Sequence, residues 1–347
     1  MDPKTEEGRT AQLHQSKRAL DILYTIEWAD ADGNKVKTFK SDKPFDNLQV
    51  ASNVEEASDA GEKPILEIVI PITGSVASSQ GSPGNLNPGD TATSRSTRIS
   101  RDLPDNVKDI AISTIDAKKM IIRSEFLLEE LRNIVSYYPG QALTGDDVTI
   151  IEPYPVLMHH IAPLSELHQR LKKEVTEQTV EKLVETKCHH LGVLMEFLEP
   201  KIQQKLKPAQ ARLQQFSPVT TFDGLWHLYR PGEDVYFKNS HLDRYVGGVV
   251  LESFLSSAPP NDYNAYNPGA RRDLWHLTLF HLSFDGRKLT RFCYYFGIAN
   301  FKGEKKIRTL PVYPTKYWDN TDGGQRRREL ESHGKKYFEI ARAGSKL

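Results

Sequence analysis

Two histidine-rich runs are where side-chain chemistry could gather in this sequence. His159 and His160 are adjacent, and Cys188, His189 and His190 form a second run. Imidazole and thiolate are common zinc ligands, but neighbours on a helix point about 100° apart, whereas the familiar helical zinc pair sits at i and i+4. Neither run holds a His pair at that spacing, so a site would have to be assembled from both, and interfacial or solvent-facing histidines are the simpler expectation. Nucleophilic catalysis lacks an arrangement as well: no Gly-x-Ser-x-Gly elbow occurs, and Cys293 lies in a dense strand pattern that suits a buried, inert thiol. Asp146 and Asp147 sit together in a Gly-containing loop, where acidic residues commonly serve turns. A phosphate loop needs Gly-x4-Gly-Lys-Ser/Thr, so that backbone amides and the lysine cradle phosphates. The one Gly-Lys pair, Gly334-Lys335, is followed by Lys336 and preceded at the required spacing by Glu329, so the motif is absent. No catalytic, cofactor-binding or metal-ligating residue is assigned.

Charge and aromatic content leave a binding role. The formal net charge is zero, yet from Gly286 to Leu347 there are fifteen Lys or Arg against six Asp or Glu. Such a basic end can attract nucleic acid, an anionic surface or an acidic partner, or be held against the protein's own acidic part. Its densest points, Arg326, Arg327 and Arg328 with Lys335 and Lys336, are the candidate surface for a partner or for nucleic acid. RKLTRFCYYF adds aromatics among basic residues, the composition of a base-stacking platform, although strand alternation turns several of those rings toward a core. GLWHLYRPGEDVYF, from Gly224 to Phe237, crowds Trp226, His227, Tyr229 and Arg230 before a Pro-Gly turn. At the boundary between helical and strand-rich sequence, that cluster reads as a packing wedge rather than a site.

The elements that must position these residues can be read along the chain. Residues 1–18 form a polar tail, expected to be disordered. In 19–72, an N-terminal β-containing segment, ALDILYTIEW and KVKTFK make a hairpin around Asp32 and Gly33, and PILEIVIPI is a β-branched strand. Residues 73–104, rich in Ser, Gly, Pro and Thr, read as a disordered linker or insertion. Residues 105–216 combine strands at DIAIST and KKMIIR with helices. Ser124 caps the first helix, and from Leu164 to about Gln215 a helical hairpin or small bundle gathers Val180, Leu183, Val184, Leu191, Leu194, Met195 and Leu198 on one broad face, with breaks at Pro200 and Pro208. Residues 217–320 contain five strand candidates, EDVYFK, RYVGGVVLESF, LWHLTLFHLSF, KLTRFCYYFGIAN and KKIRTLPVY, an antiparallel meander forming a small barrel or sandwich. Residues 321–347 form a basic helix. The fold class is α+β.

At 347 residues, with 27% charged and 38% hydrophobic side chains, the composition is that of a globular protein with some disordered length. Two distant cysteines, Cys188 and Cys293, provide no disulfide framework and fit a reducing compartment. No apolar run reaches membrane-span length and the amino terminus lacks a signal-peptide core, so a cytoplasmic or nuclear location is expected.

Several blocks taken together resemble a known family. SEFLLEELRNIVSYYPG, EPYPVLMHH, FDGLWHLYRPGEDVYF and FDGRKLTRFCYYFGIANFKGEKKIRTLPVYPTKYW are similar, in order and spacing over about residues 110–345, to the domain of unknown function in the amino-terminal half of fungal AAA+ ATPases. SHGKKYFEIA is similar to that family's closing block, with His333 where Arg is usual. The resemblance implies a noncatalytic accessory, protein-interaction or regulatory module, with protein partners that include an AAA+ ATPase core. The chain itself stops where the family runs on to that core, as expected of a stand-alone relative, a truncated product or a fragment. A nucleic-acid-binding protein using the basic end is the alternative.

Overall fold

The computed structural model describes residues 20–45, 63–76, 110–177, 182–239, 244–258, 272–284 and 288–344. The expected tail at 1–18 lies outside the described residues. So does the expected linker, except for 73–76, which continue a strand. The chain divides into two compact units. One comprises residues 1–131, 143–154 and 167–194, and the other 132–142, 155–166 and 195–347.

The first unit is built on a six-stranded mixed sheet. β1 (Ile22–Ala29) and β2 (Lys35–Ser41) form the expected antiparallel hairpin. The Asp30 carboxylate accepts the amides of Asp32 and Asn34 at 3.0 and 2.8 Å, and Gly33 takes φ +85°, a conformation open to glycine. β3 (Leu66–Val76) is central: it runs parallel to β1 and antiparallel to β4 (Ile110–Ile115) and β5 (Lys119–Ile122). β6 (Val148–Ile151) pairs with β5. Ile26, Trp28, Phe39, Ile70 and Ile72 bury one face as a cluster. The parallel pairing of β1 with β3 joins residues more than forty positions apart, beyond the reach of local sequence pattern.

α1 (Glu125–Ile134) begins as expected, with Ser124 Oγ accepting the Leu127 amide at 3.3 Å. α2 (Pro155–His159), α3 (Ile161–Glu177) and α4 (Lys182–Lys201) follow. Leu191, Leu194 and Leu198 are buried as the spacing requires, but Leu183, in the first turn of α4, stays 49% exposed. Pro200 does not end its helix. α4 carries it inside and then widens into a π-helical turn, Ile202–Leu206, before α5 (Lys207–Leu213). A widened turn is one way a helix absorbs the hydrogen bond that a proline cannot donate.

In the second unit β7 (Val219–Thr221) leads through a 3-10 turn to α6 (Leu225–Leu228). The main sheet has five antiparallel strands in the order β11-β10-β9-β8-β13. Their bounds are β8 (Asp234–Asn239), β9 (Arg244–Ala258), β10 (Arg272–Phe284), β11 (Leu289–Ala299) and β13 (Val312–Pro314). The sheet curls strongly: Phe237 of β8 meets Tyr294 and Phe296 of β11, with ring centroids 4.9 and 5.4 Å apart. Gly248 makes room, since a Cβ there would lie 2.9 Å from Phe237 Cε1. It does not close into a barrel. The segment KKIRTLPVY, expected as one strand after β11, splits into β12 (Glu304–Lys306), which pairs with β7, a 3-10 turn, and β13, which returns to β8 at the opposite edge. A three-residue strand ending in Pro314 is too short, and short of a donor, to bridge the gap.

Candidate interaction surface on the C-terminal helix

Two helices finish the second unit: α7 (Lys316–Asp322) and α8 (Gln325–Gly344). Gly323 and Gly324 turn the chain between them with φ +63° and +77°, a corner that side chains with a Cβ rarely adopt. Asp322 then fixes the start of α8, its carboxylate accepting the amides of Gly324 and Arg326 at 2.9 and 3.1 Å and the Trp318 indole N–H at 2.8 Å.

The three sequence-predicted arginines are anchors. Arg327 donates from Nε to Asp319 Oδ2 at 2.9 Å, from one terminal nitrogen to Thr315 Oγ1 at 2.6 Å and from the other to Asp234 Oδ2 at 3.2 Å. Tyr236 Oη, from β8, donates to the other oxygen of Asp319 at 2.8 Å. The Asp319 bond, joined by Asp234, pushes the Arg327 guanidinium still higher, so its charge is permanent. Arg326 lies over the Trp318 ring at 4.3 Å and over Tyr245 at 5.2 Å, while Arg308 lies over the same Trp318 at 4.1 Å and Tyr313 stacks on it. Arg328 donates to the Gly323 carbonyl at 2.8 Å. Of the two readings of the basic end, a partner surface or a hold on the protein's own acidic groups, these three arginines follow the second in large part, tying α8 to β8, β9 and α7.

Beyond this anchor α8 changes character. Every residue from Glu331 to Ile340 is exposed, Lys335 and Lys336 among them. Tyr337, Phe338 and Ile340 beside those lysines are 44%, 51% and 71% exposed. Single exposed apolar residues are ordinary, but three within four positions of one helix, next to two lysines, make a patch that can bury against a partner.

The remaining sequence candidates resolve into structural roles. His159 Nε2 faces the Trp226 carbonyl at 3.0 Å, so that nitrogen carries the proton and Nδ1 accepts from Tyr138 Oη, also at 3.0 Å. His160 Nδ1 donates to the Val156 carbonyl at 2.7 Å, leaving Nε2 to accept from Arg230 at 2.9 Å. All four ring nitrogens are engaged, and both histidines are neutral. Burial, reinforced by His227 and Arg230, holds His159 down at about 3. Burial, with Lys316 nearby, holds His227 at about 4, and its buried Nδ1 has no hydrogen-bond partner. His159 stacks on Trp226, centroids 5.7 Å apart.

The GLWHLYRPG stretch thus packs within its unit rather than opening a site. Trp226 is buried, Tyr229 is fully buried with its hydroxyl donating to the Val312 carbonyl at 2.7 Å, and Gly232 at φ +86° closes the Pro-Gly turn through the Glu233 amide to the Arg230 carbonyl. In the other unit His190 Nδ1 meets Ser124 Oγ at 2.7 Å, and His189 pairs with Asp21 at 2.9 Å. That hydroxyl also caps α1, so one oxygen ties the start of the helix to His190. Cys188 and Cys293 are free thiols, and Cys293 is half-buried on an edge strand instead of sealed in the core. Among the described residues no group of three or more His, Cys, Asp or Glu is placed to hold a metal ion, and no helix is long and apolar enough to cross a membrane.

Sequence reasoning missed a partly buried ion-pair network centred on Glu67. Asp147, read as turn chemistry, accepts from Arg123 at 2.6 Å, and Arg123 reaches with Nε and a terminal nitrogen to Glu67 Oε2 at 3.0 and 2.5 Å. Thr25 Oγ1 donates to the other Glu67 oxygen at 2.8 Å. A lone acid inside the apolar run of β3 was the available signal.

Comparison with family models finds one match: residues 210–319 match the model described as Domain of unknown function (DUF7025). The match begins within α5, takes in the curled sheet, ends within α7 and does not reach α8. No curated protein and no solved structure matches the chain.

Proposed function

We propose that this chain is a noncatalytic protein-interaction or regulatory module that presents the exposed half of α8 to a protein partner. The observation that carries this reading is the division of labour along one helix. Arg326, Arg327 and Arg328 are spent on intramolecular anchoring, and the following turns hold Lys335, Lys336, Tyr337, Phe338 and Ile340 in solvent. A rigid, pre-anchored helix binds with little ordering cost, and its mixture of apolar and cationic groups suits a groove with an apolar floor and an acidic rim. The finer reading, that the partner is an AAA+ ATPase core in the cytoplasm or nucleus, is supported by the sequence blocks that resemble the accessory domain of such enzymes.

Purified protein is expected to hydrolyse ATP no faster than a matched blank and to retain no labelled oligonucleotide at low salt. ATP hydrolysis would end the noncatalytic reading. Retention that falls steeply with salt and disappears in Lys335→Ala/Lys336→Ala would reassign the α8 surface to nucleic acid, because counterion release ties such binding to ionic strength.

A further inference from the structure

The last strand of a sheet leaves backbone donors and acceptors unpaired, and folded proteins blunt such edges with short strands, lysines, prolines or bulges. Four of the edge strands here follow that rule. β13 has three residues and ends in Pro314, and β6 has four residues. β2 carries Lys35, Lys37 and Lys40, and β4 pairs with β3 across a register shift.

β11 carries none of these devices. It runs eleven residues, Leu289 to Ala299, in unbroken register with β10, and contains no Pro, no Lys and no bulge. Among the described residues its outer edge pairs with no other strand. Phe292 and Tyr295, on opposite faces of the sheet, are 53% and 79% exposed. Arg291, the one charge within the strand, lies over Phe280 of β10 at 5.0 Å instead of guarding the edge.

We propose that this edge pairs with the same edge of a second copy of the chain, antiparallel about a two-fold axis perpendicular to the sheet, to form a continuous ten-stranded sheet. Self-pairing consumes the exposed edge on both copies at once, so the assembly is closed and leaves only the short, Pro-ended β13 at its two ends. The charge pattern fits a second copy. Centred on Cys293, the pairing sets Arg291 against Tyr295 and Phe292 against Tyr294; centred on Tyr294, it sets Arg291 against Gly297 and Phe292 against Phe296. In neither register does Arg291 meet another cation, and in both aromatic pairs line the seam.

Sedimentation equilibrium of the full chain tests this, beside Tyr295→Lys, whose exposed position leaves the fold intact. A reversible dimer is expected, weakened about tenfold or more by the substitution, which sets a lysine into the seam. Amide exchange in β11 is expected to slow as protein concentration rises. A monomer at every concentration would overturn the proposal. So would a dimer indifferent to Tyr295→Lys, or one whose β11 amides exchange at the same rate as in the monomer.

Discussion

Arg123→Met is expected to cost about 3–5 kcal/mol, more than any other single surface-to-core change proposed for this fold, because it leaves a buried carboxylate without its cation. Glu67 is the second residue of β3, with 9% of its side chain exposed, and Arg123 supplies two of its hydrogen bonds while Thr25 supplies another. Asp147, at 40% exposure, loses less and is hydrated in the variant. The cost therefore arises from Glu67 rather than from the surface pair. Chemical denaturation should show the midpoint falling with little change in slope. Glu67→Gln added to Arg123→Met should recover part of the loss, since a neutral amide is far cheaper to bury than a carboxylate. Equal stability of wild type and Arg123→Met would show that Glu67 is solvated after all.

The second large effect is acid destabilisation of the histidine cluster. His159 titrates at about 3 and His227 at about 4 in the folded chain, both held down first by burial, against an ordinary value of 6.5. Folded values below the unfolded one mean that the unfolded chain binds more protons between them, so stability rises with pH through that window and is flat above it. Falling from pH 7.5 to pH 5, each of these histidines should remove about 2 kcal/mol, from about 1.36 kcal/mol per pH unit below 6.5. The loss continues toward pH 3. His160, His168, His190 and His281, all lowered chiefly by burial, act in the same direction. Replacing His227 by Phe should flatten the dependence between pH 7.5 and 5 by its share. It should cost little at pH 7.5, because the lost Nδ1 had no partner. Urea midpoints for both proteins at the two pH values decide the matter, and an unaltered pH slope in His227→Phe would mean that this ring is solvated in the native state.

What could be read in advance was local. The Asp30–Gly33 turn, the Ser124 cap and the Pro231-Gly232 turn depend on a few consecutive residues whose preferences are strong, and each stands where its residues put it. Pairings between distant segments were not legible. β1 beside β3, β13 returning to β8, and Glu67 meeting Arg123 fifty-six positions later are decided by packing. The candidate surface shows the same division. Composition located the basic helix, but only the fold shows that Asp319, eight positions before Arg327, and Asp234, ninety-three before it, take the arginine out of play. Phe338 and Ile340, which count for most in the proposed contact, drew no notice in the sequence, since an isolated Phe or Ile reads as core until its exposure is known.

The interaction surface on α8 is tested most directly by paired, isotope-ratio affinity purification of wild type and Phe338→Asp/Ile340→Asp from the same extract, after circular dichroism has shown both to be folded. A discrete set of proteins recovered with the wild type should fall about tenfold or more with the variant, as expected when charge is placed in the centre of an apolar contact. Equal recovery of every protein by both chains would contradict an interaction surface on this helix.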